Sequence, residues 1–185
     1  VEKYYSIASL PGDDGIEFHI RRSGDGESSS HYVLDQLSIG DPVMVTAPMG
    51  NSYFRDEHIG PILCVAGGSG MAPIRSIAET AIAKDGAREV HLYFGVREER
   101  DIYFEERFSE LARSHANFHF TPVLSEPLGE TARRTGFVHE AVAADLGDFY
   151  GWKGYLCGPP VMVESVADLM RDRGVSEGDI YADAY

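Results

Sequence analysis

"CVAGGSGMAPIRSI", Cys64 to Ile77, sets glycines at 67, 68 and 70 and a proline at 73 between an apolar run and an amphipathic one. Glycine is costly in an ordered backbone, so a cluster of it marks a place where something must come close to the main chain. The run before it, Ile62 to Ala66, is continuously apolar, as a strand buried on both faces is. The run after it repeats apolar residues at Ile74, Ile77, Ala78, Ala81 and Ile82, the spacing of one helix face. Pro73 suits a first helical turn, where its missing N–H costs nothing. A glycine loop feeding a helix N-terminus presents backbone donors to an anion, as a dinucleotide pyrophosphate requires. A tight turn after any strand could use the same glycines, and the loop departs from G-x-G-x-x-G because Pro73 holds the third glycine's place.

Position decides between those readings. Downstream, strand-like runs recur at Val90 to Val96, Phe118 to Leu124, Gly154 to Cys157 and Ile180 to Ala182. Helical patterns separate them: Phe104, Phe108, Leu111 and Ala112, then Val138, Ala141, Val142 and Leu146, then Val163, Val166, Leu169 and Met170. Five strands alternating with helices of this size predict right-handed βαβ units and a doubly wound parallel α/β sheet. The glycine loop stands at the first strand-to-helix turn of that array, which favours a dinucleotide. Residues before 50 read differently. "KYYSIAS", "GIEFHIRR" and "PVMVTAP" are strand candidates of antiparallel character, with a short helical stretch from Ser30 to Leu37. A polar connector, Gly50 to Pro61, joins the two parts.

The 185 residues carry 16 Lys plus Arg against 30 Asp plus Glu, a net charge of −14. Such a surface disfavours nucleic acid and anionic membranes as partners. With 43% hydrophobic residues the chain can bury one full domain and part of another. No apolar run is long enough to span a bilayer and no signal-peptide pattern opens the chain, so the sequence reads as cytoplasmic. Cys64 and Cys157 each sit among apolar residues without a CxxC or CxxH partner, against a disulfide framework, a structural zinc site or an iron–sulfur cluster. His115 and His119 straddle a helix-to-strand junction, and no metal ligands are expected.

Further stretches fall at the predicted strand ends: "YFGVREERDIYFEE", Tyr93 to Glu106, and "YLCGPPVMVESV", Tyr155 to Val166. With "GGSGMAP" they resemble the GGxGxxP, GxRxxxDxxY and CGPPxM motifs of the ferredoxin–NADP reductase-like flavoproteins. "KYYSIAS" resembles that family's flavin motif R-x-Y-S, and "GESSSHYVLDQLSIGDPVMVTAPMG" its GGxxS segment with the stretch that follows. The resemblance runs through essentially the whole chain, and within the family it is strongest to the NADH-dependent reductase components of multicomponent, ring-hydroxylating oxygenases. It implies part of an antiparallel FAD-binding β-barrel at residues 1–53 and an NAD(P)-binding domain at 54–185.

By position, the resemblance puts Tyr5 and Ser6 against the flavin ring and Lys3 where the family has Arg, keeping the charge but losing the bidentate fork. Ser29 and Ser30 fall on phosphate-contacting positions, a place where Ser30 could equally cap a helix, and Glu27 replaces a glycine. His19, Ile20 and Arg21 fall on the strand that lines the flavin, where a histidine can also be structural. Gly67, Gly68, Ser69, Gly70, Met71 and Pro73 fall around the pyrophosphate, and Gly95 and Arg97 face a phosphate or ribose. Cys157, Gly158, Pro159 and Met162 surround the nicotinamide. Ser6, Cys157 and Tyr185 hold the catalytic positions: a hydrogen bond near flavin N5, the nicotinamide pocket, and an aromatic ring on the flavin face. The residues alone leave Cys157 open as a small buried hydrophobe and Tyr185 as an exposed terminal ring.

Ser125 and Glu126 close the third strand, where NADPH-using relatives carry Ser-Arg. Glu126 repels a 2′-phosphate and can accept from the ribose hydroxyls, which favours NADH over NADPH, with Arg133 and Arg134 close behind in sequence. FAD is expected ahead of FMN, and a [2Fe–2S] centre only in a missing domain or a partner. The implied function is hydride transfer from NADH to FAD, then single electrons to an acceptor protein, a ferredoxin or an oxygenase component. The alternative is a nucleotide-binding or regulatory module of the same fold without a working flavin site. Val1 stands in mid-motif and only part of a barrel's strands precede residue 50, so the chain is expected to be a fragment.

Overall fold

The computed structural model describes residues 3–22 and 29–185, Ser29 by its backbone alone. One turn of helix, α1 (Ser29–His31), runs on into a wider turn at Tyr32–Gln36, where the helical stretch was expected. The apolar run before the glycines is β1 (Ile62–Gly67), buried throughout. Its side chains alternate between two cores, Ile62, Cys64 and Ala66 entering one and Leu63 and Val65 the other. β1 pairs in parallel with β2 (Val90–Val96) on one side and β5 (Lys153–Gly158) on the other. β2 continues to β3 (Phe118–Leu124) and the two-residue β4 (Arg134–Thr135), and β5 to β6 (Ile180–Ala184). Helices α2 (Met71–Lys84) and α3 (Glu105–Ser114) pack over the first core, α4 (Val138–Asp145) and α5 (Pro160–Asp172) over the second. Five strands and four helices stand where periodicity predicted them. The sixth strand, β4, consists of two exposed residues and is too short to leave an alternation in the sequence.

The sheet order is β4-β3-β2-β1-β5-β6. The chain winds outward from β1 through β2, β3 and β4, then returns to β1's other side. At such a switch point the loops leaving the C-terminal strand ends diverge and open a crevice. Those are the loops after β1 and β5. Among the described residues no helix is long and apolar enough to cross a membrane.

The first 50 residues depart from expectation. Of the three antiparallel strand candidates, the described residues form one isolated bridge, Ile7 with Phe18, beside an Ala8 N–H that donates to the Glu17 carbonyl at 2.8 Å. "PVMVTAP" forms no strand, and Met44 is 98% exposed. Alternation marks a segment able to pair, but a strand exists only where a neighbour supplies N–H and C=O groups, and no described segment pairs with this one. The bridge region is nevertheless fixed to α2: Ser76 donates to the Ser9 carbonyl at 2.8 Å, and Arg75 meets Glu17 at 2.7 Å.

Candidate functional site

The loop from Gly67 to Gly70 leaves β1 at the switch point, and its glycines have a measurable reason. A Cβ on Gly70 would stand 2.2 Å from the Cys157 carbonyl oxygen, and one on Gly158 2.9 Å from the Gly67 Cα. The glycine turn after β1 and the C-terminal end of β5 therefore touch backbone to backbone, which no larger residue permits. Gly68 adds a left-handed turn, φ +52°. α2 then begins with no side-chain cap and no acidic residue in its first turn. The Met71 N–H is already taken by the Gly68 and Ser69 carbonyls, so what this helix end offers an anion is its positive dipole and the remaining backbone donors of the glycine turn.

This loop forms one wall of a cleft of about 3340 Å³, several times the roughly 300–1,000 Å³ of a single-ligand pocket. Of the expected flavin residues, Lys3, Tyr5, Ser6, His19, Ile20 and Arg21 line it. Gly67, Gly68, Ser69 and Pro73 line it from the glycine loop, and Pro159, Met162 and Tyr185 from beyond β5. Gly95, Arg97 and Ser125 line it at the ends of β2 and β3. Behind the wall lie Gly70, Met71, Cys157 and Gly158, all buried. Ser30 is also buried and is not among the residues lining the cleft, while Glu126 is exposed beyond Arg97. Glu27 and the Ser29 side chain lie outside the described residues.

Polar links join the walls of the cleft: two start from Ser6 and His19 in the first 20 residues, and the third comes from Tyr185 at the C-terminal end. Ser6 donates to Asp183 Oδ2 at 3.1 Å, and Asp183 also hydrogen-bonds the Cys157 thiol. Tyr103 donates to the Gly68 carbonyl at 3.3 Å while its oxygen lies 3.1 Å from His19 Nδ1. The Tyr185 hydroxyl donates to the Gly67 carbonyl at 3.2 Å and lies 2.9 Å from Ser69 Oγ, so this ring roofs the glycine loop. Burial first, and then the Asp183 charge, pushes the Cys157 thiol up to about 12. At neutral pH it is a protonated, shape-giving group, not a nucleophile.

Asp183 and Tyr103 escaped the sequence reading. Register would have found the first, since Asp183 on β6 pairs with Cys157 on β5. Replacing Asp183 with Asn removes a negative charge while keeping an acceptor for Ser6. The Cys157 titration is then expected to move below about 12, read as faster thiol alkylation at alkaline pH. An unchanged alkylation profile would break the link between the two residues.

A protein-family profile, the oxidoreductase NAD-binding domain, matches residues 64–168. The chain belongs to the oxidoreductase NAD-binding domain family. It spans about half the length of the curated relatives it matches. It is 42% identical, over 98% of its own length and 55% of the relative's, to the ferredoxin–NAD(P)(+) reductase component of the naphthalene 1,2-dioxygenase/salicylate 5-hydroxylase systems of a Ralstonia species. It is 38% identical, over 98% and 55%, to the reductase component of the Pseudomonas putida naphthalene 1,2-dioxygenase system. Among solved structures, a cytochrome P450 reductase of Amycolatopsis superposes with a TM-score of 0.89 at 38% identity, over 97% of this chain and 55% of that one.

In this NAD-binding domain, the rim where β2 and β3 end carries a set of charges already partly spent. Arg133 is held by Glu99 at 2.6 Å and by Glu105 at 2.5 Å, and Arg134 by Asp145 at 3.0 Å. Both arginines that followed Glu126 in sequence are thus committed to carboxylates. Arg97 lines the cleft and meets only the exposed Glu126, at 3.8 Å, among the ion pairs of the described residues.

Proposed function

We propose that this NAD-binding domain works within a flavin-dependent reductase that accepts a hydride from NADH and releases electrons singly to a protein acceptor. The observation that carries the proposal is the shared cleft. Tyr5 and Ser6, from the segment that resembles a flavin motif, and Arg21, from the neighbouring strand candidate, line the same space as the glycine loop and the start of α2. The Arg21 guanidinium also overhangs that loop, its Nη1 3.8 Å from where a Gly68 Cβ would stand. Residues 1–53 are proposed as part of an FAD-binding barrel and 54–185 as the NAD-binding domain.

The uncapped α2 N-terminus and the glycine loop would hold the pyrophosphate. When bound, the nicotinamide supplies the hydride and the flavin divides its electron pair. The chain's own contribution is alignment. Asp183 holds the Ser6 hydroxyl at the cleft wall, and the neutral Cys157 thiol fills the space beneath. Tyr185 and Tyr103 fix the glycine loop through its carbonyls at Gly67 and Gly68. No side chain among these needs to move a proton. Glu126, with Arg133 and Arg134 already paired, supports NADH over NADPH. The names of the relatives support a ferredoxin or an oxygenase component as acceptor.

The test is steady-state NADH oxidation by the full-length protein with FAD and an artificial electron acceptor. NADH-dependent reduction of the acceptor is expected. A protein that binds NADH but reduces no acceptor with any flavin would refute the reductase reading.

A further inference from the structure

At the opposite edge of the sheet from the cleft, strand register sets two histidines side by side. His91 of β2 pairs with His119 of β3, their rings stacked with centroids 4.4 Å apart. Glu89, one residue ahead of β2, reaches the same point, its Oε1 2.7 Å from His91 Nε2. One ligand atom from each of the three residues lies within 4.8 Å of the others. Trp152 packs against His91 at 5.3 Å between centroids and holds that ring at 12% side-chain exposure. Glu89 and His119 are exposed. Spacing along the chain pairs His119 with His115; the sheet pairs it with His91 instead.

We propose that Glu89, His91 and His119 form a binding site for a divalent first-row transition-metal ion, with zinc as the reference case. Two imidazoles and a carboxylate are the donor set such ions take, with a further position left to water. Ligand atoms at about 2.0–2.1 Å around a tetrahedral ion stand roughly 3.4 Å apart. The cluster therefore has to close by little more than an ångström, a shift that rotation of the exposed Glu89 and His119 side chains supplies. A chain of net charge −14 also attracts cations. The ion would clip β2 to β3 near their N-terminal ends, four residues along β2 from Gly95, about 13 Å from the nucleotide edge. The site is separate from the nicotinamide chemistry.

Calorimetric titration of the purified, chelator-treated full-length protein with zinc chloride tests the proposal. One equivalent is expected to bind, with a rise in Tm that EDTA reverses. His119→Ala and Glu89→Gln, both at exposed positions, should each weaken zinc binding at least tenfold. His139→Ala, on α4, should leave it unchanged. Absence of zinc binding to the parent protein, or equal affinity in the parent and His119→Ala, would overturn the assignment.

Discussion

Gly70→Ala is expected to weaken NADH binding by up to about two orders of magnitude and to lower Tm by roughly 3–10 °C. The cause is geometric. A Cβ at this position would stand 2.2 Å from the Cys157 carbonyl oxygen and 2.6 Å from its carbon. Both atoms belong to β5, whose position is fixed by pairing with β1 and β6, so the loop has to move. Overpacking of this kind costs about 1–3 kcal/mol. The displaced loop carries the α2 N-terminus with it, and restoring the parent geometry to bind the nucleotide costs that same strain, up to about two orders of magnitude in affinity. Gly68→Ala is the contrasting case. Its φ of +52° strains an alanine, but its Cβ would meet only the Arg21 guanidinium at 3.8 Å, an ordinary contact. The strain is about 1–2 kcal/mol, without displacement of the loop from β5. Thermal melts and NADH titrations of the two variants separate the effects. Equal NADH affinity in Gly70→Ala and the parent would show that the close approach of the glycine turn to β5 does not position the nucleotide.

The difference between these glycines shows what a sequence discloses. The spacing of Ile74, Ile77, Ala78, Ala81 and Ile82 reports a helix face because periodicity is a local property. The glycine cluster likewise announces a close approach. What approaches is not local: the β5 backbone comes first, and that follows only from the pairing of β1 with β5. Asp183 beside Cys157, and His91 beside His119, are legible only in the same way, from the register of neighbouring strands. "PVMVTAP" fails for the converse reason. Its alternation is real, yet a ladder needs a partner that no described residue supplies. The rim arginines were visible in sequence, but their commitment to Glu99, Glu105 and Asp145 depends on distances that sequence spacing does not contain.

Glu126→Arg is expected to shift the ratio of kcat/KM for NADPH over NADH by roughly 10- to 100-fold toward NADPH. In the parent protein Glu126 stands 3.8 Å from Arg97 at the end of β3, and with the nucleotide bound as proposed its carboxylate would face the ribose. Opposing like charges across a recognition surface costs a few kcal/mol, the origin of that range. The substitution removes the repulsion, releases Arg97, and adds a guanidinium able to grip a phosphate with two parallel hydrogen bonds. Arg133 cannot take that role in the parent, because Glu99 and Glu105 already occupy its guanidinium. The groups are exposed, so the shift should shrink as salt shortens the screening length to about 8–10 Å. A ratio that does not move on substitution would place the ribose away from Glu126 and remove the basis for preferring NADH.

The most direct test of the central claim, that one cleft holds nicotinamide and flavin together, is an anaerobic NADH titration of the FAD-loaded full-length protein, followed by its visible flavin absorbance. Stoichiometric bleaching of the flavin band is predicted, slowed or abolished in Gly70→Ala. NADH that binds while the flavin band stays intact would contradict the account, leaving a nucleotide-binding domain whose cleft does not carry the transfer.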